Sequence, residues 1–118
     1  MQERLESFGG SGHALVFAHA NGYPPGSYTR LLESLTTHCS VSAVRHRPLW
    51  GTPRPPARLR WQLFATDLVD TLKACCERPV WLLGHSLGAV VGLLAATRET
   101  SLFRGLLLLD PVFLPTLL

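Results

Sequence analysis

Residues 80–84 (VWLLG) form an apolar run with no polar residue in alternation, and residues 105–112 (GLLLLDPV) open with another. A strand wet on one face alternates apolar and polar residues. A strand covered on both faces does not, and such strands belong to parallel sheets flanked by helices. These two runs therefore constrain the fold more than any other feature. The intervening sequence agrees. Residues 14–20 (ALVFAHA) follow a glycine-rich stretch and read as a further short strand, and 41–47 as a fourth, with Val41 and Ala43 alternating. Tyr28, Leu31, Leu32 and Leu35 recur at helical spacing, which predicts a helix near 26–38. Trp61, Phe64, Leu68, Leu72 and Cys75 line one face of a second helix that Pro79 closes, and residues 86–98 read as a third. Residues 48–57 hold four prolines and a glycine, so they form a loop. Strand and helix alternate throughout. The fold class this predicts is α/β, in three layers, with a mostly parallel central sheet and helices on both faces.

Composition narrows the class further. The chain has 47% hydrophobic and 16% charged residues, too apolar for disorder, and its length allows one small domain. Mean hydropathy is +0.19, which leaves apolar surface for something else to cover. No apolar run reaches the roughly 18–20 residues of a membrane-spanning helix. The N-terminus lacks the pattern of a secretory signal. Cys39, Cys75 and Cys76 are an odd set without a disulfide framework, which points to a reducing, cytoplasmic setting. No Cys/His spacing suggests a metal site, and no cofactor is expected. The net charge of +3 is mild and requires no anionic partner. Arg45, Arg47, Arg54, Arg58 and Arg60 lie near Trp50 and Trp61, mostly in one proline-rich loop without a nucleic-acid module. A solvated loop role fits them better than binding of a substrate anion or of nucleic acid. Gly9, Gly10 and Gly12 precede a strand, the wrong order for a phosphate cradle.

Gly84-His85-Ser86-Leu87-Gly88 matches G-x-S-x-G between a predicted strand and a predicted helix. On such a turn a serine is held in a strained backbone conformation, with its hydroxyl projecting above the sheet. Gly84 and Gly88 remove side chains that would collide where strand and helix approach. The helix N-terminus directs free N–H groups at an anion beside Ser86. The bland alternative is an N-cap serine after a buried strand. The segment 19–25 (HANGYPP) directly follows the first strand. Asn21 there, by backbone or side chain, and the backbone N–H of Leu87 are the candidate oxyanion donors. His19 and His85 flank them and are the candidate residues on the substrate side.

With HANGYPPGSY (19–28), RPLWG (47–51), GHSLG (84–88) and LFRGLLLLDPV (102–112) in this order, the chain resembles the α/β-hydrolase superfamily over about residues 13 to 115. The resemblance implies a core holding about strands three to six of that fold, within one partial domain spanning 1–118 whose C-terminal half and cap are absent. It implies Ser86 as nucleophile, a small-molecule substrate, and hydrolysis of an ester, amide or similar carbonyl bond. It also implies that His19 is mainly structural, while the elbow itself turns His85 away from the nucleophile. The superfamily order is serine, acid, histidine. The five histidines are His13, His19, His38, His46 and His85, and none follows Ser86. A serine hydroxyl without a base is a weak nucleophile. Asp110 is the candidate acid, or else a residue that orients the strand end before Pro111. Two outcomes stay open: a hydrolase by ancestry that is inactive or incomplete alone, and a non-catalytic binding protein using the same pocket. A dimer or a further segment is expected to cover the edge of the last strand. The four strands are expected in the spatial order second, first, third, fourth, with residues 5–8 adding a short, poorly paired strand.

Overall fold

A computed structural model describes residues 4–20, 23–46 and 61–111. Five strands form one sheet: β1 (Leu5–Gly9), β2 (His13–Ala18), β3 (Cys39–Val44), β4 (Val80–His85) and β5 (Phe103–Leu109). Their spatial order is β1-β3-β2-β4-β5. The pairs β3/β2, β2/β4 and β4/β5 are parallel, so the four principal strands stand in the expected order. β1 is better formed than expected. It pairs antiparallel with β3 from Leu5 opposite Val44 to Gly9 opposite Val41, with an irregularity between Ser7 and Gly9.

Three helices join the parallel strands: α1 (Thr29–Leu35), α2 (Trp61–Cys75) and α3 (Leu87–Arg98). The pleat divides the core between two faces. Leu15 and Phe17 of β2, Val41 and Ala43 of β3 and Leu83 of β4 pack with Leu32 of α1. Val16, Ala18, Val80 and Leu82 pack with Phe64, Leu68 and Leu72 of α2 and with Leu87 and Val91 of α3. Helices thus cover both faces, as predicted. The reason is the direction of travel. The step from β2 to β3 runs toward one edge, and the steps to β4 and β5 run toward the other. Right-handed crossovers then place α1 on one face and α2 and α3 on the opposite face.

The first helix and the last strand differ from the sequence reading. The first helix is shorter than 26–38, because Pro25–Tyr28 forms a separate 3₁₀ turn ahead of α1. Leu31, expected on its inner face, is exposed, and Leu32 fills that place. The last strand ends at Leu109, since Asp110 takes φ 48° and leaves the ladder. That strand was also expected to be fully buried. Instead Leu107 is 50% exposed and Leu109 45%. They lie opposite Leu83 and His85 on the α1 face. Among the described residues α1 packs on β3 and β1 and α3 packs on β4 and β5, so only the other face of β5 is covered. No helix among the described residues is long and apolar enough to cross a membrane.

Candidate active site

β2 and β4 lie side by side, but their connections leave toward opposite edges of the sheet. Ligands of open α/β sheets bind in the crevice beyond the carboxyl ends of strands at such a switch point. Topology alone therefore places a site where Ala18, His19 and Ala20 leave β2 and where Ser86 leaves β4. The sequence motif occupies the same place.

Ser86 lies between β4 and α3 with φ 53° and ψ −110°. The positive φ is the value expected of it. A non-glycine residue held there is strained by about 1–3 kcal/mol, and such strain persists only where its surroundings enforce it. The N–H of Ser86 donates to the Leu109 carbonyl of β5 at 3.0 Å, and its carbonyl accepts from Ala89 at 3.1 Å and Val90 at 3.3 Å. A Cβ on Gly88 would collide with the carbonyl oxygen of Ala18, and one on Gly84 would lie 2.6 Å from the carbonyl oxygen of Gly88. Only glycine lets α3 come this close to β2. Ser86 is half-buried and makes no side-chain capping bond to its helix. The hydrogen-bond ladder of α3 starts at Ala89 and Val90, so the N–H groups of Leu87 and Gly88 precede it at the positive end of the helix dipole. The Leu87 side chain is buried in the core, which fixes that backbone.

His19 is only 3% exposed and His46 only 5%. Their rings lie tilted against each other at 48°, with 4.1 Å between centroids. The backbone N–H of His46 donates to His19 Nε2 at 3.0 Å, so the His19 ring proton sits on Nδ1 and donates to the Ala20 carbonyl at 2.8 Å. His46 Nε2 donates to the His19 carbonyl at 2.8 Å. The His19 imidazole is thus neutral in this network, with both ring nitrogens spent on backbone groups. Burial pushes His46 down to about 3, with the neighbouring His19 adding to the shift. Burial lowers His19 as well, against the opposing bond to Ala20. The pair clamps the end of β2 to the end of β3. Sequence reasoning named His19 but missed His46, and no local pattern links the two.

His85 is half-buried, and its Nδ1 lies 2.8 Å from the Tyr28 hydroxyl. That bond turns its ring toward α1. Asp110 is exposed at the end of β5. Asn21 lies outside the described residues, as do Arg47, Trp50, Arg54, Arg58, Arg60 and the proline-rich loop. The structure therefore brings Ser86, Leu87, Gly88 and the end of β2 together at one end of the sheet, with Asp110 one strand away.

A model of the alpha/beta hydrolase family matches residues 15–118. The chain belongs to the alpha/beta hydrolase family. A relative in this family, the monoglyceride lipase of Rattus norvegicus, is 32% identical over 113 residues, covering 89% of this chain and 37% of the lipase. Among solved structures, the N-formylmaleamic acid deformylase of Pseudomonas putida S16 superposes with a TM-score of 0.81 at 25% identity, over 91% of this chain and 42% of the other. An alpha/beta hydrolase fold protein from Burkholderia ambifaria gives the same TM-score at 18% identity, over 93% and 40%, and shows the likeness of fold. This alpha/beta hydrolase chain thus spans about two fifths of the length of each of these proteins.

Proposed function

We propose that this chain carries the nucleophile half of a serine hydrolase site acting on a carboxylic ester or a similar carbonyl bond. Ser86 is the nucleophile, and its strained backbone at φ 53° on the turn between β4 and α3 is the observation that carries the reading. In the reaction the Ser86 hydroxyl oxygen attacks the carbonyl carbon and its proton passes to a base. The negative charge gathers on the former carbonyl oxygen. The N–H of Leu87 stands at the start of α3 to receive that charge, and the Asn21 segment, entered through Ala20, is the expected second donor. The positioning of the serine by glycine packing and the neutral His19–His46 clamp both support a preorganised site. The lipase relative supports an ester as the substrate class.

The described residues do not identify the base. No histidine follows Ser86, and both ring nitrogens of His19 are engaged in the fold. Asp110 remains the candidate acid, although it is exposed. We therefore expect the 118-residue chain, as a partial domain, to be hydrolytically weak by itself, and a further segment or a second copy to cover β5. The exposed Leu107 and Leu109 support that expectation. The three free cysteines fit a reducing, cytoplasmic setting. The engagement of both His19 ring nitrogens in the fold favours a second reading, a binding protein that uses the same crevice without turnover.

A fluorophosphonate probe and short p-nitrophenyl esters separate these readings. Slow labelling of the purified chain that Ser86→Ala abolishes is expected of the nucleophile. Rapid stoichiometric labelling with ester turnover would overturn the expected weakness. No labelling above the Ser86→Ala background would favour the binding protein.

A further inference from the structure

We propose that the Tyr28 hydroxyl is a positioning group that ties the exit of β2 to the turn carrying Ser86. The proposal rests on the reading of that crevice as the reactive site but concerns residues outside the reaction itself. Three observations meet at this hydroxyl. It accepts the backbone N–H of Ala20 at 3.2 Å. It lies 2.8 Å from Nδ1 of His85, the residue before Ser86. Its ring is held edge-on to the His85 ring at 5.7 Å and tilted against Phe17 at 4.4 Å, and Phe17 is fully buried.

A hydroxyl carries one proton and two lone pairs. With one lone pair accepting from Ala20, the hydroxyl proton serves His85 Nδ1 when the His85 ring proton rests on Nε2. The Ala20 N–H, the Tyr28 O–H and the His85 ring nitrogen are all satisfied in that single arrangement. Each member comes from a different element. Ala20 follows β2, Tyr28 ends the 3₁₀ turn before α1, and His85 ends β4. The turn is itself pinned, because Pro25 is buried and the Ser27 N–H donates to the Pro24 carbonyl at 2.9 Å.

The other side of the same segment is held independently. His46 grips His19, and Gly88 lets α3 press against the Ala18 carbonyl. Ala18, His19 and Ala20 are therefore fixed from β3, from α3 and from α1. The last link also reaches His85, the residue before Ser86. Van der Waals packing sets these positions to within its own tolerance. The hydrogen-bonded tie adds direction, which is what an oxyanion site needs.

Tyr28→Phe removes the hydroxyl and keeps the ring on Phe17. Amide hydrogen exchange is read at Ala20 and at Ser86, whose N–H is bonded to Leu109. Faster exchange at both, by about tenfold at Ala20 and several-fold at Ser86, is expected. Faster exchange at Ala20 alone would overturn the tie and leave Tyr28 as a local anchor. A second variant, His85→Ala, approaches the tie from the half-exposed end. It is expected to speed exchange at Ala20 several-fold although Ala20 does not touch His85, and unchanged Ala20 would overturn the proposal. Fluorophosphonate labelling of Ser86 is measured in parallel. If the wild-type chain does not label while the exchange coupling holds, the nucleophile reading fails and the tie stands. If the wild type labels, Tyr28→Phe is expected to slow it about tenfold, and an unchanged rate would overturn the positioning role.

Discussion

β4 and β5 are neighbouring parallel strands, both rich in leucine, and each is followed by a non-glycine residue at positive φ, Ser86 at 53° and Asp110 at 48°. Their surroundings differ. Leu82 and Leu83 of β4 are buried on opposite faces of the sheet, Leu82 against α2 and α3 and Leu83 on the α1 face. Leu107 and Leu109 of β5 face outward on the side α1 does not reach. The left-handed backbone at Ser86 is crowded into place by Gly84, Gly88 and α3. At Asp110 it is adopted by a residue type that tolerates it, in the open. A positive φ is thus enforced at one strand end and permitted at the next. The first is held by the packing of α3 on β2.

The largest contrast is expected from truncating one leucine in each strand. Leu82→Ala should lower unfolding stability by about 2–5 kcal/mol, since Leu82 is 0% exposed. Leu107→Ala should stay within about 0.5 kcal/mol. Denaturant titration measures both, and equal losses would mean that β5 is as well covered as β4.

Acidification is expected to act on the buried end of the sheet next. The folded pKa values of His46 and His19 are lowered from the usual 6.5, His46 to about 3. Between those limits the unfolded chain binds protons that the folded chain refuses. Stability is therefore full above about pH 6.5 and falls as the pH drops toward 3. Thermal unfolding should lose several degrees over that window. His46→Gln should flatten the profile, and an unaltered profile would deny the clamp.

Gly88→Ala should cost about 1–3 kcal/mol, because the added methyl meets the Ala18 carbonyl. It should also cut any fluorophosphonate labelling of Ser86. The smallest effects belong to the strand ends themselves. Ser86→Gly should stabilise the fold by about 1 kcal/mol, as strain is released against the entropy cost of glycine. Asp110→Gly should change stability by less, and a gain larger at Asp110 than at Ser86 would reverse the comparison.

Much of this was legible in the amino-acid order. The apolar runs at 80–84 and 105–109, the helical spacing of Phe64, Leu68 and Leu72, and the glycines around Ser86 determined the layers and the place of the turn that carries Ser86, and the resemblance to the α/β-hydrolase superfamily with right-handed crossovers added the order of the strands. Each is a local pattern, and local patterns report which faces a segment wants covered and where its backbone must bend. The tertiary structure decided the rest. Tyr28 meets His85 across 57 residues of sequence, and His46 meets His19 across 27, with no spacing rule to announce either contact. The sequence marked the last strand as an edge in need of cover, but not that Leu107 and Leu109 would be the residues exposed on its face. Their composition states that they are suited to burial, but whether a helix reaches them depends on where the crossovers place it. A hydrogen bond between distant residues and the cover over a strand belong to packing, and packing is fixed only when all the elements meet.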